Sequence, residues 1–325
     1  GRMSRRDTLR LLAVGLLLCW CGIFLRGENT EKSMVRALLV ERGENGWTVG
    51  FLYQSPEAAA DSSEAAAAVR LCTASGETLE EARLAAEALL PQTANYRLCD
   101  YLVVEETSAP EVLAECAALE QKHPELRMAM RVLAADCSCK EWLAAAQEDE
   151  SVPEKLLACI KEAAPAAPRL YERDAGLLLP VAEQGTSDPG CAEEGLLLSA
   201  SGAAVRLTAA ETQMAYLLQE RSGQRSFWLA GQAVLLRRAV VGVEVEGEGF
   251  AVRLTVQPKA GTALLSKVEC RELEALCTET VRRCWENGLD VLSLGAVRAL
   301  QDEAAPRLTT KNVCPQLRAD VQCLG

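Results

Sequence analysis

The feature that most constrains the fold is a long amphipathic helix in the stretch Gly261–Leu300. Ser266 and Glu269 have the spacing of a capping box, in which a side-chain oxygen and a carboxylate satisfy the first backbone donors of a helix. A helix over about 267–287 would be roughly 30 Å long, enough to cover a whole sheet, and Gly288 is a natural end for it. Its apolar face repeats every three or four residues and comprises Cys270, Leu273, Cys277, Thr280 and Cys284.

The segment after this helix is an apolar run with one acid between two glycines, Gly288 to Gly295. We predict a buried strand here. A long helix followed by Asp-aliphatic-aliphatic-Ser-aliphatic-Gly resembles the C-terminal domain of the Ger(x)C family, the C subunits of nutrient germinant receptors in spore-forming bacteria. An amphipathic helix, a glycine and a buried strand also form a common passage in α+β proteins. The resemblance is carried by Asp290, Val291, Leu292, Leu294 and Gly295.

Composition limits the class of protein. The 325 residues suffice for two or three domains with a sizeable core. Lys and Arg number 34 against 46 Asp and Glu, and the resulting net charge of −12 repels phosphate backbones, so the sequence argues against nucleic-acid binding. Aromatic residues make up only 4% of the chain, which leaves little for stacking on bases or sugars.

The sequence lacks the motifs of common enzymes and metal sites. It holds 14 cysteines and one histidine, His123, with no Cys-x-x-Cys pair, so neither a structural zinc site nor a disulfide framework is indicated. No glycine-rich phosphate loop and no Gly-x-Ser-x-Gly elbow occurs. We therefore predict a protein that is not an enzyme and that uses no cofactor or metal.

The N-terminus has the pattern of an export segment. Four arginines within the first ten residues precede the uncharged run Leu11–Leu25, and Arg26 follows it. We assign residues 1–27 to a signal or membrane anchor and favour an uncleaved anchor, with the rest of the chain outside. A cleaved signal, a lipoprotein signal and a buried helix of a cytosolic protein are the alternatives. Lipidation would fall on Cys19, but leucine stands where a lipoprotein signal has a small residue.

The N-terminal α+β region, residues 28–190, begins with a predicted hairpin of 34–41 and 47–53 around an Asn-Gly turn. A short strand, Val69–Cys72, leads to a second capping box and a helix to about Leu90. A buried strand over 98–106 follows, and this order resembles a second stretch of the family. The capping box consists of Thr78 and Glu81. Because neighbours on a strand point to opposite faces, Glu105 and Glu106 do not form a paired-carboxylate catalytic site. We predict that they lie at a solvated strand end.

The remainder of this region alternates helices with strands, a pattern that fits either one domain or two subdomains. Helices are predicted over 110–121, 139–146 and 153–162, and strands over 126–134 and 175–181. The turn-rich segment 183–190 is the predicted domain boundary.

The C-terminal α+β domain, residues 191–325, opens with a hairpin of 195–200 and 203–207. Thr208 and Glu211 form a third capping box, and this passage resembles a third stretch of the family. A long hairpin over 232–245 and 250–256 precedes the long helix. Pro315 would confine a last strand over 313–323 to a sheet edge. The predicted fold class is α+β, with mixed sheets packed by helices in two to three domains.

The resemblance implies a non-enzymatic, extracytoplasmic subunit of a germinant-receptor complex, anchored at the outer face of the spore inner membrane or cell membrane. Its implied partners are the membrane and the receptor's A and B subunits, and direct nutrient binding is left open. The rival hypothesis is an exported solute- or peptide-binding protein unrelated to germination, and an exported hydrolase is a third. The segment that we single out, as a structural element or a contact site, consists of Gly288, Asp290, Leu292 and Gly295.

Overall fold

The computed structural model describes residues 32–54, 68–122, 129–185, 188–221, 225–259, 264–301 and 307–324. The strands in these ranges are β1 Ser33–Gly43, β2 Gly46–Gln54, β3 Val69–Gly76, β4 Ala94–Asn95, β5 Tyr101–Glu105, β6 Arg131–Ala135, β7 Leu177–Leu179, β8 Val181–Gln184, β9 Pro189–Cys191, β10 Leu196–Leu198, β11 Ala204–Arg206, β12 Arg225–Leu229, β13 Gln232–Glu246, β14 Gly249–Pro258 and β15 Leu317–Cys323. The α-helices are α1 Leu79–Glu87, α2 Ala109–Lys122, α3 Cys139–Glu148, α4 Val152–Ala163, α5 Ala209–Leu218, α6 Lys267–Glu286 and α7 Leu294–Gln301. These elements form three sheets packed by helices, and the predicted α+β fold class is confirmed.

The first sheet contains eight strands in the order β3-β2-β1-β5-β6-β8-β9, with β4 beside β1. β1, β2 and β3 are antiparallel neighbours, whereas β1, β5, β6 and β8 run parallel, and β9 is antiparallel to β8. The predicted first hairpin is confirmed, since Gly43 pairs with Gly46 across its turn.

Both faces of the first sheet are covered by helices. Leu38 and Val40 of β1 pack on one face with α1 and α2. Ala37 and Leu39 pack on the other face with α3 and α4. Because successive strand side chains alternate between faces, a strand covered on both sides must be apolar almost throughout, as the central strands are.

The second sheet is small and antiparallel, in the order β11-β10-β7. Pro180 separates β7 from β8, and its carbonyl already accepts a hydrogen bond from Ala134 N of the first sheet at 2.9 Å. The prediction of a single strand over 175–181 was therefore wrong. Proline has no N–H to continue a ladder, and the chain changes sheets at this residue. The domain boundary near residue 190 stays a prediction.

The third sheet has the order β12-β13-β14-β15, and its last pair is parallel. The long helix is confirmed as the 20-residue α6, which packs its predicted face against β14. Phe250, Val252 and Leu254 of β14 are buried in this core. The fully buried side chains of the predicted α6 face are Leu273, Cys277, Thr280 and Cys284.

The helix starts were the most predictable boundaries. Capping boxes are present at all three predicted pairs, and a fourth joins Ser138 to Glu141 at the start of α3. The last strand lies at the predicted edge position, although it begins at Leu317, after Pro315. The prediction of a strand over 288–295 was wrong, because this segment forms a turn and then the first residues of α7.

Several sequence-based predictions lie outside the described residues. They concern the anchor at 1–27, Cys19, and His123. In the part of the chain that the structure describes, no helix is both long and apolar enough to cross a membrane. The twelve cysteines in the described stretches are free thiols.

Replacing Ser266 with alanine will destabilise the protein by about 1 kcal/mol, the usual cost of removing a side-chain cap. Ser266 Oγ accepts a hydrogen bond from Glu269 N at 3.3 Å, and the Glu269 carboxylate accepts one from Ser266 N at 2.7 Å. Urea unfolding measures the free energy. Ser266→Thr is the control, because it keeps an accepting hydroxyl, and an unchanged value for Ser266→Ala would show that the cap contributes nothing.

Cys191 will react with iodoacetamide long before Cys277 does. Burial raises the pKa of the Cys277 thiol to about 12, so its thiolate fraction at pH 8 is on the order of 10⁻⁴. Cys191 is exposed, and a hydrogen bond from Cys159 lowers the pKa of its thiol. Timed alkylation of the native protein followed by peptide mass spectrometry tests this order. In urea-unfolded protein the two cysteines should be alkylated at similar rates. Equal rates in the native protein would contradict the burial of Cys277 on α6.

Candidate functional site

Asp290 lies in the turn between α6 and α7. Its Oδ1 accepts a hydrogen bond from Leu294 N at 2.9 Å, and its Oδ2 accepts one from Gly295 N at 3.0 Å. The carboxylate thus caps the first turn of α7, where unpaired N–H groups and the helix dipole favour a negative charge. This cap is the physical reason that the segment becomes a helix start instead of continuing as a strand.

The other singled-out residues lie at the same turn. Leu292 is buried in the core of the third sheet. A Cβ on Gly295 would stand 2.5 Å from Leu308 O, so a side chain there would collide with the backbone after α7. The structure therefore gives these residues capping and packing contacts. Their role as a contact site for a partner stays a prediction.

Gly288 fixes the end of α6 against the second sheet. Its φ is +87°, and Gly176, just before β7, has a φ of +80°. A Cβ on Gly176 would lie 2.9 Å from Gly288 O, and one on Gly288 would lie 3.0 Å from Ser199 Cβ, just after β10. Both positions combine a left-handed backbone with close contact, which only glycine accommodates without strain.

A groove of about 640 Å³ opens beside this turn, and we call it the Asp290 groove. One wall is formed by Tyr171 and Gly176, and another by Glu220 and Arg221 at the end of α5. The remaining walls come from β13 and from the turn after α6. Their lining residues are Val241, Val243, Leu289, Asp290, Val291, Leu292 and Ser293.

The Asp290 groove carries charges and an unusual backbone. Arg221 Nη2 donates to Glu172 Oε2 at 2.6 Å, and both side chains line the groove. Glu220 and Ser293 adopt left-handed φ values of 54° and 55°, in a region that costs energy for residues other than glycine. Such backbone conformations cluster at ligand and switch sites. With apolar walls beside an ion pair, the groove suits a molecule that has both apolar and charged groups.

A chain of two ion pairs connects the three sheets. Arg283 of α6 donates from Nη1 to both carboxylate oxygens of Glu211 at 2.9 Å, and from Nη2 to Arg206 O at 3.1 Å. Arg206 Nε in turn donates to Glu106 Oε1 at 2.9 Å. We call Arg283, Glu211, Arg206 and Glu106 the ion-pair chain. Only 8% of the Glu211 side chain is exposed, so this carboxylate depends on its partners.

Glu105 ends β5, as predicted, but the expectation that Glu105 and Glu106 are solvated was wrong, because both are partly buried and hydrogen-bonded. Glu105 accepts hydrogen bonds from Thr107 N at 3.1 Å and Ser108 N at 3.0 Å, and so caps a 3₁₀ helix. Glu106 belongs to the ion-pair chain. Its partner lies 100 positions away in the sequence, and no local pattern signals such a contact.

Most of the groove was not predicted from the sequence. Glu172 and Arg221 are 49 positions apart and carry no motif. Gly176 offered one usable signal, since a glycine directly before an apolar run often marks a close backbone approach. In the described stretches, no three His, Cys, Asp or Glu side chains are grouped so that they could hold a metal ion.

Comparison with solved structures finds a similarity to the GerBC protein. The sequence matches no family model and no curated protein. The crystal structure of the GerBC protein superposes with a TM-score of 0.43 and 11% sequence identity, over 89% of this chain and 97% of that chain. The similarity therefore extends over most of both chains, but the superposition is loose.

Replacing Asp290 with alanine will lower the free energy of unfolding by about 1 kcal/mol, because two N–H groups of α7 lose their acceptor. Asp290→Asn will cost less, since the amide oxygen can still accept one of the two bonds. Urea unfolding of both variants against the unmodified chain measures the difference. If Asp290→Ala were as stable as the unmodified chain, the carboxylate would not be a structural cap, and a contact role would be favoured.

Proposed function

We propose that this protein is a non-enzymatic subunit of a membrane germinant-receptor complex and takes part in nutrient-triggered spore germination. In this proposal the described part of the chain lies outside the membrane, at the outer face of the spore inner membrane or cell membrane. Its partners are the receptor's A subunit and its multi-spanning B subunit. Division into an N-terminal region of residues 28–190 and a C-terminal domain of 191–325 belongs to the same proposal.

The Asp290 segment is the observation that carries this proposal. Its resemblance to the family rests on an acid, aliphatic residues and a glycine in a fixed order, and each type has a distinct physical task here. Asp290 caps α7, Leu292 fills the core, and Gly295 allows the close approach of Leu308. Because each residue of this pattern has its own structural role, the pattern supports a common structural unit better than composition does.

The order of the elements gives further support. The first hairpin, the helix that begins after Thr78 and the next buried strand follow one another as the family resemblance implies. The hairpin of β10 and β11 and the capped helix α5 likewise match the third stretch.

An exported solute- or peptide-binding protein is the second candidate, and the Asp290 groove favours it. Its volume of about 640 Å³ lies in the range of small-molecule sites. The Arg221–Glu172 pair at its wall could orient a charged ligand.

Purification of the tagged full-length chain from spore membranes in mild detergent, followed by mass spectrometry, tests the proposal. We expect a multi-spanning transporter-like protein to be recovered with it in comparable amount. An untagged strain processed in parallel is the control for non-specific recovery.

Recovery of the chain alone, with a small molecule retained, would contradict the receptor proposal and favour the solute-binding candidate. A variant with Val243→Phe would then test the solute-binding candidate. Val243 lines the groove from β13, so the larger side chain narrows the groove and should abolish retention of the ligand.

A further inference from the structure

One edge of β13 carries no neighbouring strand along much of its length. β13 pairs with β12 only between Gln232 and Leu236. On its other side it pairs with β14 as far as Glu246. From Arg237 onward, β13 thus has one open edge within the described part of the chain. A sheet edge of this kind is a template for another extended chain.

The directions of the backbone groups can be assigned from β14. In an antiparallel pair, a residue directs both its N–H and its C=O to the same neighbour, and successive residues alternate. Phe250 N donates to Gln316 O at 2.9 Å, and Val256 O accepts from Leu324 N at 2.9 Å. Even-numbered residues of β14 therefore face β15, and odd-numbered residues face β13.

The register carries this assignment to β13. Arg253 and Thr255 of β14 pair with Gly242 and Val240, so even-numbered residues of β13 are the ones bonded to β14. The N–H and C=O groups that point to the open edge belong to Ala239, Val241 and Val243. These groups form no hydrogen bond with another segment among the described residues.

Two cavities lie along this edge, and their different linings suit different side chains. The first, of about 190 Å³, lies beside Ala239. The second is the Asp290 groove, of about 640 Å³, beside Val241 and Val243. Alternate side chains of an added strand point to the same face about 6.6 Å apart, so they would enter the two cavities in turn.

The first cavity is basic in a protein of net charge −12. Four arginines line it together with a single acid, Glu220, and they are Arg221, Arg225, Arg237 and Arg238. Arg237 and Arg238 are exposed, and neither forms an ion pair with a residue that the structure describes. This end of the edge therefore favours an acidic side chain.

The second cavity favours bulky apolar side chains. Its walls include Leu289, Val291 and Leu292, with the aliphatic side chains of β13. The far end of β13 is the limit of the site, because Arg298 of α7 donates to Glu248 O at the hairpin turn.

We propose that the open edge of β13, from Arg237 to Val243, binds an extended segment of a partner protein by strand addition. The segment carries an acidic side chain beside Arg237 and Arg238, and apolar side chains at the alternate positions that enter the Asp290 groove. Main-chain hydrogen bonds to Ala239, Val241 and Val243 supply affinity, and the two cavities supply specificity. This inference goes beyond the proposed function and holds whether or not the chain belongs to a germinant receptor.

The test uses the full chain in mild detergent and a fluorescent, end-blocked peptide, Thr-Glu-Thr-Leu-Thr-Leu-Thr, together with its reversed sequence. Fluorescence anisotropy measures the dissociation constants. We expect one of these two sequences to bind saturably. A matched peptide with lysine in place of glutamate should bind about tenfold more weakly, the loss expected for one charge-assisted contact. Equal binding of the glutamate and lysine peptides would overturn the acidic specificity.

Backbone pairing is tested without altering the protein. Methylating the leucine nitrogens of the peptide should reduce binding about tenfold or more if the added strand is antiparallel. Methylating the threonine nitrogens should do so if it is parallel. The methylation pattern that leaves binding intact is the control, and binding unaffected by both patterns would overturn strand addition.

Variants of the chain give an independent readout. Val241→Pro removes one donor from the open edge, a position where a sheet tolerates proline, and should weaken binding about tenfold, whereas Val241→Thr keeps the donor and should retain it. Arg237→Glu with Arg238→Glu should reverse the preference between the glutamate and lysine peptides.

Analytical ultracentrifugation tests whether a second copy of the chain covers the open edge of β13. We expect the unmodified chain and Val241→Pro to have the same mass. If the unmodified chain were a dimer that Val241→Pro converted to a monomer, the edge would be covered by a second copy, and the proposal of a partner segment would be overturned.

Discussion

The buried carboxylate of Glu211 is the constraint on which the arrangement of the three sheets depends. It caps α5 through Thr208, and its two oxygens also accept hydrogen bonds from Nη1 of Arg283 on the long helix. A carboxylate so far removed from water must keep its partners, since an unpaired buried charge costs several kcal/mol. The helix is therefore held to α5 at one particular rotation. Arg206 and Glu106 extend the same contacts to the second and first sheets.

This fixed rotation determines where the Asp290 groove forms. Once α6 is held by Arg283, its end at Gly288 lies against Gly176 and Ser199, where no side chain would fit. The turn that follows must then reverse direction quickly, and Asp290 completes it by capping α7. The groove is the space left between this turn, the end of α5 and β13. The position of its walls is thus set by the contacts of Arg283 and Gly288, which do not line the groove.

What could be predicted from the sequence was mainly local. Ser266 and Glu269 act within a single helical turn, so their spacing alone identified the start of α6. The alternation of β13 and β14 likewise needed no distant information. The Arg206–Glu106 pair spans 100 positions, and its energy depends on burial that spacing does not encode. The prediction of a strand over 288–295 failed for a related reason. An apolar run fits a strand and a capped turn equally well until the hydrogen-bond partners of Asp290 are known.

The parallel pairing of β14 with β15 has a consequence for the order of folding. Phe250 pairs with Leu317, so this ladder closes only after the chain has passed through α6 and α7. Closing such a long loop carries an entropic cost that a hairpin avoids, which makes this step slow. Until β15 has been synthesised, the hairpin of β13 and β14 therefore has two unpaired edges instead of one. When β15 has paired with β14, the Glu274 carboxylate of α6 accepts a hydrogen bond from Val321 N at 3.1 Å on the other edge of β15.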